Sequence, residues 1–307
     1  MILSVSRRTD IPNYYSEWFM NRIREGYLYV RNPMNTHQIS RINLSPQIVD
    51  CIVFWTKNPW PMMDKLDDLK HYNYYFQFTL TGYGKDMEPN LPDKRRQMLG
   101  IFCKLSSQIG REKVIWRYDP IIFTDRYTAD YHVKAFRKIA EALQGYTDKV
   151  VISFVDWYAK TKKNMKGIDA VNLEGREFFA FVSELSAIAG EHKMKIAACA
   201  EEIDLVPYGI EHNCCIDKAL IEKIIGYRIS AKKDKNQRKE CGCLESIEIG
   251  TYNTCRNACK YCYANYSDQK VYSSCQIYDP QSPLLCGIIT EEDKITERKV
   301  ESLRQYP

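Results

Sequence analysis

Three cysteines in the C-terminal part of the chain, Cys255, Cys259 and Cys262, constrain its fold and chemistry more than any other feature. Their C-x3-C-x2-C spacing places three thiols on one short loop, where they can hold three irons of a four-iron, four-sulfur cluster. The fourth iron then keeps an open coordination position, as in a reactive rather than a closed metal centre. The alternative for three closely spaced cysteines is a zinc knuckle or a structural cluster. The spacing favours a cluster that takes part in chemistry.

This loop resembles the cluster motif of the radical SAM superfamily. Tyr261 precedes the last cysteine, where the superfamily usually carries an aromatic residue, and residues 246–250 have the sequence of a strand that delivers the loop. The resemblance implies that S-adenosylmethionine binds the fourth iron and is reductively cleaved to a 5'-deoxyadenosyl radical that abstracts hydrogen from a substrate. It also implies an electron donor, a reductase such as flavodoxin or ferredoxin.

The whole chain resembles a bacterial family called domain of unknown function eighteen forty-eight, whose C-terminal cysteines look like the N-terminal radical SAM motif. That family names no reaction, so the substrate must be argued from residues. The superfamily carries the motif on its first barrel strand, whereas here it begins at residue 255 of 307. The resemblance therefore implies a rearranged, circularly permuted barrel.

Composition limits the class of protein. A chain of 307 residues with 45% hydrophobic content can bury a large core and suits one barrel-sized domain. No run approaches the ~18 apolar residues of a membrane span, and the N-terminus is charged too early for a signal peptide. We expect a cytoplasmic protein without membrane contact. Twelve cysteines in a reducing compartment indicate metal ligation rather than disulfides.

Short runs of branched and aromatic residues alternate with stretches of helical period, which predicts a parallel sheet with crossover helices. The predicted strands are residues 2–6, 51–56, 74–80, 113–118, 150–155, 195–199 and 246–250. Apolar residues at helical spacing predict helices over 178–189 and 133–143. The fold class is α/β, a partial or closed β/α (TIM-like) barrel with a cysteine-rich C-terminal region.

The domain organisation follows from this barrel. Residues 1–200 form the β/α barrel and residues 201–307 form a cysteine-rich iron-sulfur region that completes it. If the barrel is permuted, strand 246–250 pairs beside strand 2–6. The tail at 291–305 could then form the first barrel helix. Residues 26–46 break the alternation and predict an inserted hairpin, or an eighth barrel strand.

Polar residues end most of the predicted strands, where a β/α barrel places its active site. Arginine, lysine and aspartate there give directional, charge-assisted bonds to the carboxylate, amine and ribose hydroxyls of S-adenosylmethionine. The alternative is a network of buried ion pairs at the barrel mouth. With the aromatic residue of the motif, the candidate cofactor-binding residues are Arg7, Arg8, Asp10, Lys57, Arg117, Asp119 and Tyr261.

A second set of thiols lies outside the loop: Cys199, Cys214 or Cys215, Cys241 and Cys243. Four thiols suffice for a closed site, and Gly242 permits a tight backbone between two of them. The set predicts a second four-iron cluster, and zinc is an alternative. The other alternative is no metal, with Cys199 and one of Cys214 and Cys215 simply small buried hydrophobic residues. The remaining four cysteines lack partner spacing.

The sequence as a whole predicts an iron-sulfur enzyme of radical SAM type, acting on a small-molecule or nucleic-acid substrate that residues alone do not identify. The alternative is a metal-stapled nucleic-acid-binding or scaffold protein without catalysis, in which the basic segment 228–239 contacts phosphate. A third option is a radical enzyme acting on nucleic acid, since residues 261–264 resemble the spore photoproduct lyase branch. The five histidines form no H-E-x2-H or H-x3-H pair, so a zinc hydrolase is disfavoured.

Overall fold

The protein is described by a computed structural model over residues 1–306. Runs of branched and aromatic residues form its central strands, which are buried on both faces like other parallel strands covered by helices. The strands are β1 Ile2–Val5, β2 Tyr27–Asn32, β3 Asn35–Asn43, β4 Cys51–Thr56, β5 Tyr74–Thr79, β6 Val114–Ile121, β7 Phe123–Thr124, β8 Lys149–Phe154, β9 Ala170–Val171, β10 Lys195–Ala198, β11 Glu211–His212, β12 Ile247–Glu248 and β13 Lys294–Glu297.

The helices lie where apolar residues recur at helical spacing, and several begin at a side-chain cap. Thr128, for example, accepts a hydrogen bond from the backbone N–H of Tyr131 at the start of the fifth helix. The α-helices are α1 Ile11–Tyr14, α2 Ser16–Glu25, α3 Trp60–Met63, α4 Leu99–Ile109, α5 Ala129–Leu143, α6 Ala159–Asn164, α7 Gly175–Glu191, α8 Lys218–Ile225 and α9 Asp268–Gln276. The predicted helices 133–143 and 178–189 are confirmed as parts of α5 and α7.

Eight parallel strands form the main sheet, in the order β12-β1-β4-β5-β6-β8-β10-β11. The strand before the cysteine loop pairs with the first strand of the chain, with Leu3 opposite Ile247 and Ser4 opposite Glu248. This confirms the predicted pairing of residues 246–250 beside 2–6. Starting from β12, the other seven strands of this sheet are neighbours in the order in which they occur along the chain, from β1 to β11. The mixed α/β class with a large parallel sheet is therefore confirmed.

The two edges of this sheet, β11 and β12, are not joined by strand pairing. One backbone hydrogen bond crosses from the segment before β12 to the segment after β11, from Leu244 N to Ile216 O at 3.1 Å. The sheet thus combines six strands from residues 1–200 with its two edge strands, β11 and β12, which both follow residue 200. This bond does not extend the ladder of the sheet.

Alternate residues of the strands face two separate cores, as the two-residue period of a strand requires. One face packs against the long helices through residues such as Phe54, Phe76 and Trp116. The opposite face carries Ile2, Val53, Tyr75, Ile115 and Val151, which pack with the cysteines that flank the edges and with Ile221 of α8. On this second face, buried polar side chains follow the apolar ones toward the carboxyl ends of the strands: Ser4, Gln77, Arg117 and Ser153.

Two sequence expectations, the eighth barrel strand and the C-terminal helix, require correction. The hairpin at 26–46 exists as antiparallel β2 and β3, but it belongs to a separate three-stranded sheet, and the eighth strand of the main sheet is β11. The tail at 291–305 is not a helix. It contains β13, which adds to the open edge of β3, because an unpaired edge offers a row of free N–H and C=O groups. The helix that follows the cysteine loop is instead α9.

No helix within residues 1–306 is both long enough and apolar enough to cross a membrane.

Candidate functional site

The cysteine loop leaves the carboxyl end of β12 at Gly250. A side chain there would collide with Ser6, because a Cβ atom would lie 1.8 Å from the Ser6 Oγ. The three loop thiols lie close enough to perturb one another. Burial raises the pKa of the Cys255 thiol, and the charges of Cys262 and Cys259 raise it further. Burial likewise raises the pKa of Cys259 to about 12.

Asp10 fixes one side of the loop. It is buried and accepts hydrogen bonds from Thr56 Oγ1 at 2.6 Å, from the backbone N–H of Lys57 at 2.8 Å and from Asn257 Nδ2 at 2.9 Å. Asn257 lies between the first two cysteines, so Asp10 joins the loop to the end of β4. Burial raises the pKa of Asp10, and these bonds partly oppose the rise. The predicted cofactor ligand is thus occupied in positioning the loop.

A buried ion network fixes the other side of the loop. Glu88 accepts from Lys57 Nζ at 2.8 Å and also from Lys94 and the Tyr261 hydroxyl. Lys57 Nζ in addition donates to the Tyr261 hydroxyl at 3.0 Å. Burial alone would raise the pKa of Glu88, but the two lysines outweigh burial and lower it to about 2. Lys57 and Tyr261, both predicted cofactor ligands, therefore anchor the loop through Glu88.

The predicted pair Arg117 and Asp119 forms a buried ion pair at the end of β6. The Nε of Arg117 donates to Asp119 Oδ2 at 3.0 Å, and Ser153 also donates to Asp119. Burial raises the pKa of Asp119, but Arg117 and Ser153 outweigh it and the pKa is lowered. Arg117 Nη1 also donates to the thiol sulfur of Cys215 at 2.8 Å. This pair corresponds to the ion-pair alternative, with an added contact to sulfur.

Arg7 differs from Arg117 because part of its guanidinium has no partner. Its Nη2 is buried without a hydrogen-bond acceptor, and no acidic side chain within residues 1–306 forms an ion pair with it. The guanidinium carbon lies 5.0 Å from the Trp55 ring centroid, and that of Arg117 lies 5.3 Å from it. Arg7 is therefore a half-buried cation with one buried, free donor beside the sheet. Arg8 instead stacks on Tyr252, at 4.8 Å.

The second thiol set comes together where the two edges of the sheet approach. Cys199 and Cys215 have their sulfur atoms 3.3 Å apart. Cys215, Cys241 and Cys243 pack in one cluster of buried side chains, and Cys199 packs against this cluster. The neighbouring Cys243 thiol lowers the pKa of Cys241 to about 7, although burial opposes this. All four predicted thiols are thus neighbours, with Cys215 rather than Cys214 in the chain of contacts.

Cys214 contacts the backbone of the same segment. A Cβ atom at Gly242 would lie 2.4 Å from the Cys214 sulfur, so a side chain at that position would displace the Cys214 side chain. No three His, Cys, Asp or Glu side chains within residues 1–306 already surround a point that could hold a metal ion. The donors in both sets are nonetheless all thiols, next to cationic side chains, and thiolates select zinc, iron and iron-sulfur clusters. The chemistry of both sets fits such a centre.

A small cavity of about 140 Å³ lies near the carboxyl ends of β6 and β8. Its walls are mostly apolar, including Phe154, Trp157 and Phe178, and Glu201 contributes a carboxyl group. Glu201 accepts from the backbone N–H of Phe154 at 2.9 Å. Burial raises the pKa of Glu201 to about 7. This carboxyl group is therefore able to exchange a proton near neutral pH.

Two site residues, Glu248 and Glu88, were not predicted from the sequence, although the position of Glu248 in a strand could have indicated it. Glu248 accepts from Ser4 Oγ at 3.0 Å and from the backbone N–H groups of Arg7 and Gly250 at 2.9 Å. It lies in the strand before the cysteine loop, so extending the strand-end rule to that strand would have included it. Glu88 follows no strand and no motif, and its role depends on contacts made in three dimensions.

The fold and these side chains define an α/β protein with a large parallel sheet and two sets of thiols, one on the loop after β12 and one where the two sheet edges approach each other. The chain belongs to the family described as Domain of unknown function (DUF1848), whose model matches residues 2–264. Both thiol sets lie inside the matched range, whereas α9 and β13 lie beyond it. No curated protein and no solved structure matches the chain.

Proposed function

We propose that the protein is an iron-sulfur enzyme of radical SAM type. Cys255, Cys259 and Cys262 would hold a four-iron cluster, and S-adenosylmethionine would bind its open iron. When bound, the cluster supplies one electron for reductive cleavage of S-adenosylmethionine, and the resulting radical abstracts hydrogen from the substrate. The observation that carries this proposal is the pairing of β12 with β1. Because of this pairing, β12, the strand before the cysteine loop, is the edge strand from which the other seven follow in chain order.

This strand order supports a circularly permuted barrel. In a barrel that begins at its motif strand, the next strands follow as sequential neighbours, and here β1, β4, β5 and β6 do so. The bond from Leu244 to Ile216 brings the two edges within hydrogen-bond distance, which supports closure into a TIM-like shape. The thiol loop then lies at the carboxyl ends of the strands, where barrel enzymes place their chemistry.

The residues around the loop would hold and orient the bound groups. Asp10 and Glu88 position the loop from opposite sides, as their hydrogen bonds to Asn257 and Tyr261 indicate. Arg7 offers a buried donor without a partner, and a guanidinium binds a carboxylate with directional, charge-assisted bonds. It would therefore bind the carboxylate of S-adenosylmethionine or of the substrate.

The chemistry also requires partners and a compartment. A one-electron donor such as flavodoxin or ferredoxin would reduce the cluster. A reducing compartment such as the cytoplasm would keep the twelve cysteines as thiols. The substrate is a small molecule or a nucleic acid.

A second candidate, nucleic-acid binding, is favoured by the surface next to the loop. Lys160 lies 4.1 Å from the ring of Tyr266 and 4.5 Å from that of Tyr252. Tyr158 and Tyr263 are half exposed, with ring centroids 6.3 Å apart. Exposed aromatic rings among lysines can stack bases and contact phosphates. This surface would serve either a non-catalytic binding protein or a radical enzyme with a nucleic-acid substrate.

The test is to isolate the protein without oxygen and record iron content and low-temperature EPR with and without S-adenosylmethionine. We expect about four irons or more per chain and a signal that changes when S-adenosylmethionine is added. Cys259→Ala should lose both the signal change and S-adenosylmethionine cleavage. Cys103→Ala, on α4 and remote from both thiol sets, is the matched control and should retain them.

Full cleavage activity in Cys259→Ala would refute the proposal. Zinc alone, together with nucleic-acid binding that weakens steeply as salt rises, would establish the non-catalytic candidate instead.

A further inference from the structure

The two edges of the main sheet approach each other without forming a ladder, and cysteines occupy both sides of the gap. Cys199 and Cys215 follow β10 and β11 on one side. Cys241 and Cys243 precede β12 on the other. The backbone bond from Leu244 to Ile216 is directly beside them. We call this region, residues 211–216 and 241–248, the seam.

Nitrogen donors point at the sulfur atoms of the seam. Cys215 Sγ accepts from Arg117 Nη1 at 2.8 Å and from Asn213 Nδ2 at 3.0 Å. Cys243 Sγ accepts from the backbone N–H of Ile216 at 3.4 Å. A neutral thiol is a weak acceptor, whereas N–H groups commonly donate to metal-bound thiolates. Buried cysteines that merely fill space would not collect three such donors.

A cationic side chain lies beside the seam. The Nη2 of Arg7 is buried without a hydrogen-bond acceptor. Burial opposes the charge of Arg7, but the neighbouring Cys243, Cys215 and Glu248 outweigh burial and raise the pKa of Arg7. Thiolates at the seam would therefore lie next to a cation and a free donor.

A disulfide does not explain the arrangement. Cys199 and Cys215 are close enough for one, at 3.3 Å between sulfur atoms, but both lie on the same side of the seam. Cys241 and Cys243 on the other side would then be left without a role. A metal centre is the chemistry that can bind all four thiols and so join one edge to the other.

We propose that Cys199, Cys215, Cys241 and Cys243 bind a thiolate-ligated metal centre, zinc or iron-sulfur, that clasps the seam and closes the main sheet. Its role is structural, since four protein thiolates leave no open position for a substrate. The inference does not rest on the proposed reaction, because the loop thiols are a separate set.

The test uses a full-length chain in which Cys255, Cys259 and Cys262 are all replaced by alanine, so that metal at the loop cannot contribute. Zinc and iron per chain are measured after isolation without oxygen and reconstitution with either metal. We expect about one zinc or about four irons to remain, and the two counts distinguish the two kinds of centre. Adding Cys215→Ala and Cys243→Ala should abolish this binding, whereas adding Cys103→Ala and Cys275→Ala should not.

A second measurement covers the case in which the seam variant fails to fold. The metal is removed from the loop-deficient chain with a chelator, and amide hydrogen exchange is followed. Exchange in the seam should become about tenfold faster or more, while β4 and β5 at the sheet centre change little. A loop-deficient chain without bound metal, unchanged exchange after metal removal, or a Cys199–Cys215 disulfide in the anaerobic protein would each overturn the proposal.

Discussion

Glu88 is a single buried carboxylate that accepts hydrogen bonds from two lysines and a tyrosine. It is 2% exposed, and Lys57 and Lys94 approach it from two sides. Because Tyr261 belongs to the cysteine loop, the position of the loop depends on this charge. Burying one partner of an ion network without the others is far more costly than burying the complete network.

We therefore expect Glu88→Gln to lower the free energy of unfolding at neutral pH by about 3–5 kcal/mol, because two buried lysines lose their counter-charge. The pKa of Glu88 is depressed from 4.5 to about 2, so its stabilisation is present above pH 4.5 and is lost as pH falls toward 2. Urea denaturation of both proteins between these pH values measures the effect. Glu141→Gln, at an exposed position on α5, should change stability little, and an equal loss in both variants would contradict the prediction.

Arg7 has a free donor that the proposed cofactor contact would use. Arg7→Gln removes the charge but keeps a hydrogen-bond donor, so we expect S-adenosylmethionine to bind about tenfold to a hundredfold more weakly. Stability should change little, because the Nη2 of Arg7 has no hydrogen-bond acceptor to lose. Equilibrium binding to the reconstituted protein measures the affinity.

Arg8→Gln is the control for Arg7, since the Arg8 guanidinium stacks on Tyr252 and is not the free donor. Equal affinity in both variants and in the parent protein would show that Arg7 does not bind the cofactor. A large loss of stability in Arg7→Gln would show instead that its charge is already compensated within the fold.

The sequence predicts some site residues better than others for a physical reason. The three loop cysteines are recognisable because a spacing of eight residues is local, and the fold does not have to be known to read it. Glu88 and Lys57 are 31 residues apart, and only the folded chain shows that they pair. The strand-end rule located Arg117 and Asp119 but could not show that they pair with each other rather than with a ligand.

The strands also divide into those that local sequence predicts and those that form only through tertiary pairing. The predicted central strands are present because each is an apolar run that is buried in any parallel sheet; β4 has the predicted bounds 51–56. Strand β11 is two exposed polar residues, Glu211 and His212, and exists only through its pairing with β10. Strand β13 likewise depends on the edge of β3. Neither has a local signal that a sequence pattern could reveal.

A neutral histidine joins helix α5 to strand β6. His132 is fully buried and its Nε2 donates to Ile122 O at 3.0 Å, so its Nδ1 accepts from the Tyr118 hydroxyl at 2.8 Å. Burial lowers the pKa of His132 from 6.5 to about 4. Protonation of Nδ1 would place a charge on a buried ring and break the hydrogen bond from the Tyr118 hydroxyl. Between pH 6.5 and 4 the unfolded chain therefore binds a proton at His132 that the native state does not bind.

We expect stability to be complete above pH 6.5 and to fall by about 3 kcal/mol as pH decreases through about 4, because the unfolded state binds the extra proton. Denaturant unfolding across this range measures the slope. His132→Gln should be less stable at neutral pH but should lack this part of the pH dependence. His71→Gln, at an exposed position, should keep it, and an unchanged slope in His132→Gln would contradict the assignment.

The segment that follows residue 264, beyond the family match, packs with the N-terminal helix α2. Residues 280–283 supply carbonyl acceptors to α2 and β2: Pro280 O to Asn21, Gln281 O to Arg22, Ser282 O to Trp18 and Pro283 O to Tyr29. Trp18 and Arg22 are fully buried. The main sheet therefore does not by itself define the folding unit, because the hydrogen bonds of α2 are completed by residues from the far end of the chain.

A chain ending at residue 264 tests this, because it keeps every strand of the main sheet and both thiol sets but loses those acceptors. Each buried donor left without a partner costs about 1–3 kcal/mol, so we expect a large loss of stability or no cooperative unfolding. A chain ending at residue 289 is the matched control, because it keeps residues 280–283 and loses only β13 and the tail. Denaturant unfolding should rank the full chain first, the 289-residue chain second and the 264-residue chain last. Equal stability of the 264-residue chain and the full chain would show that the main sheet and its helices fold without the C-terminal segment.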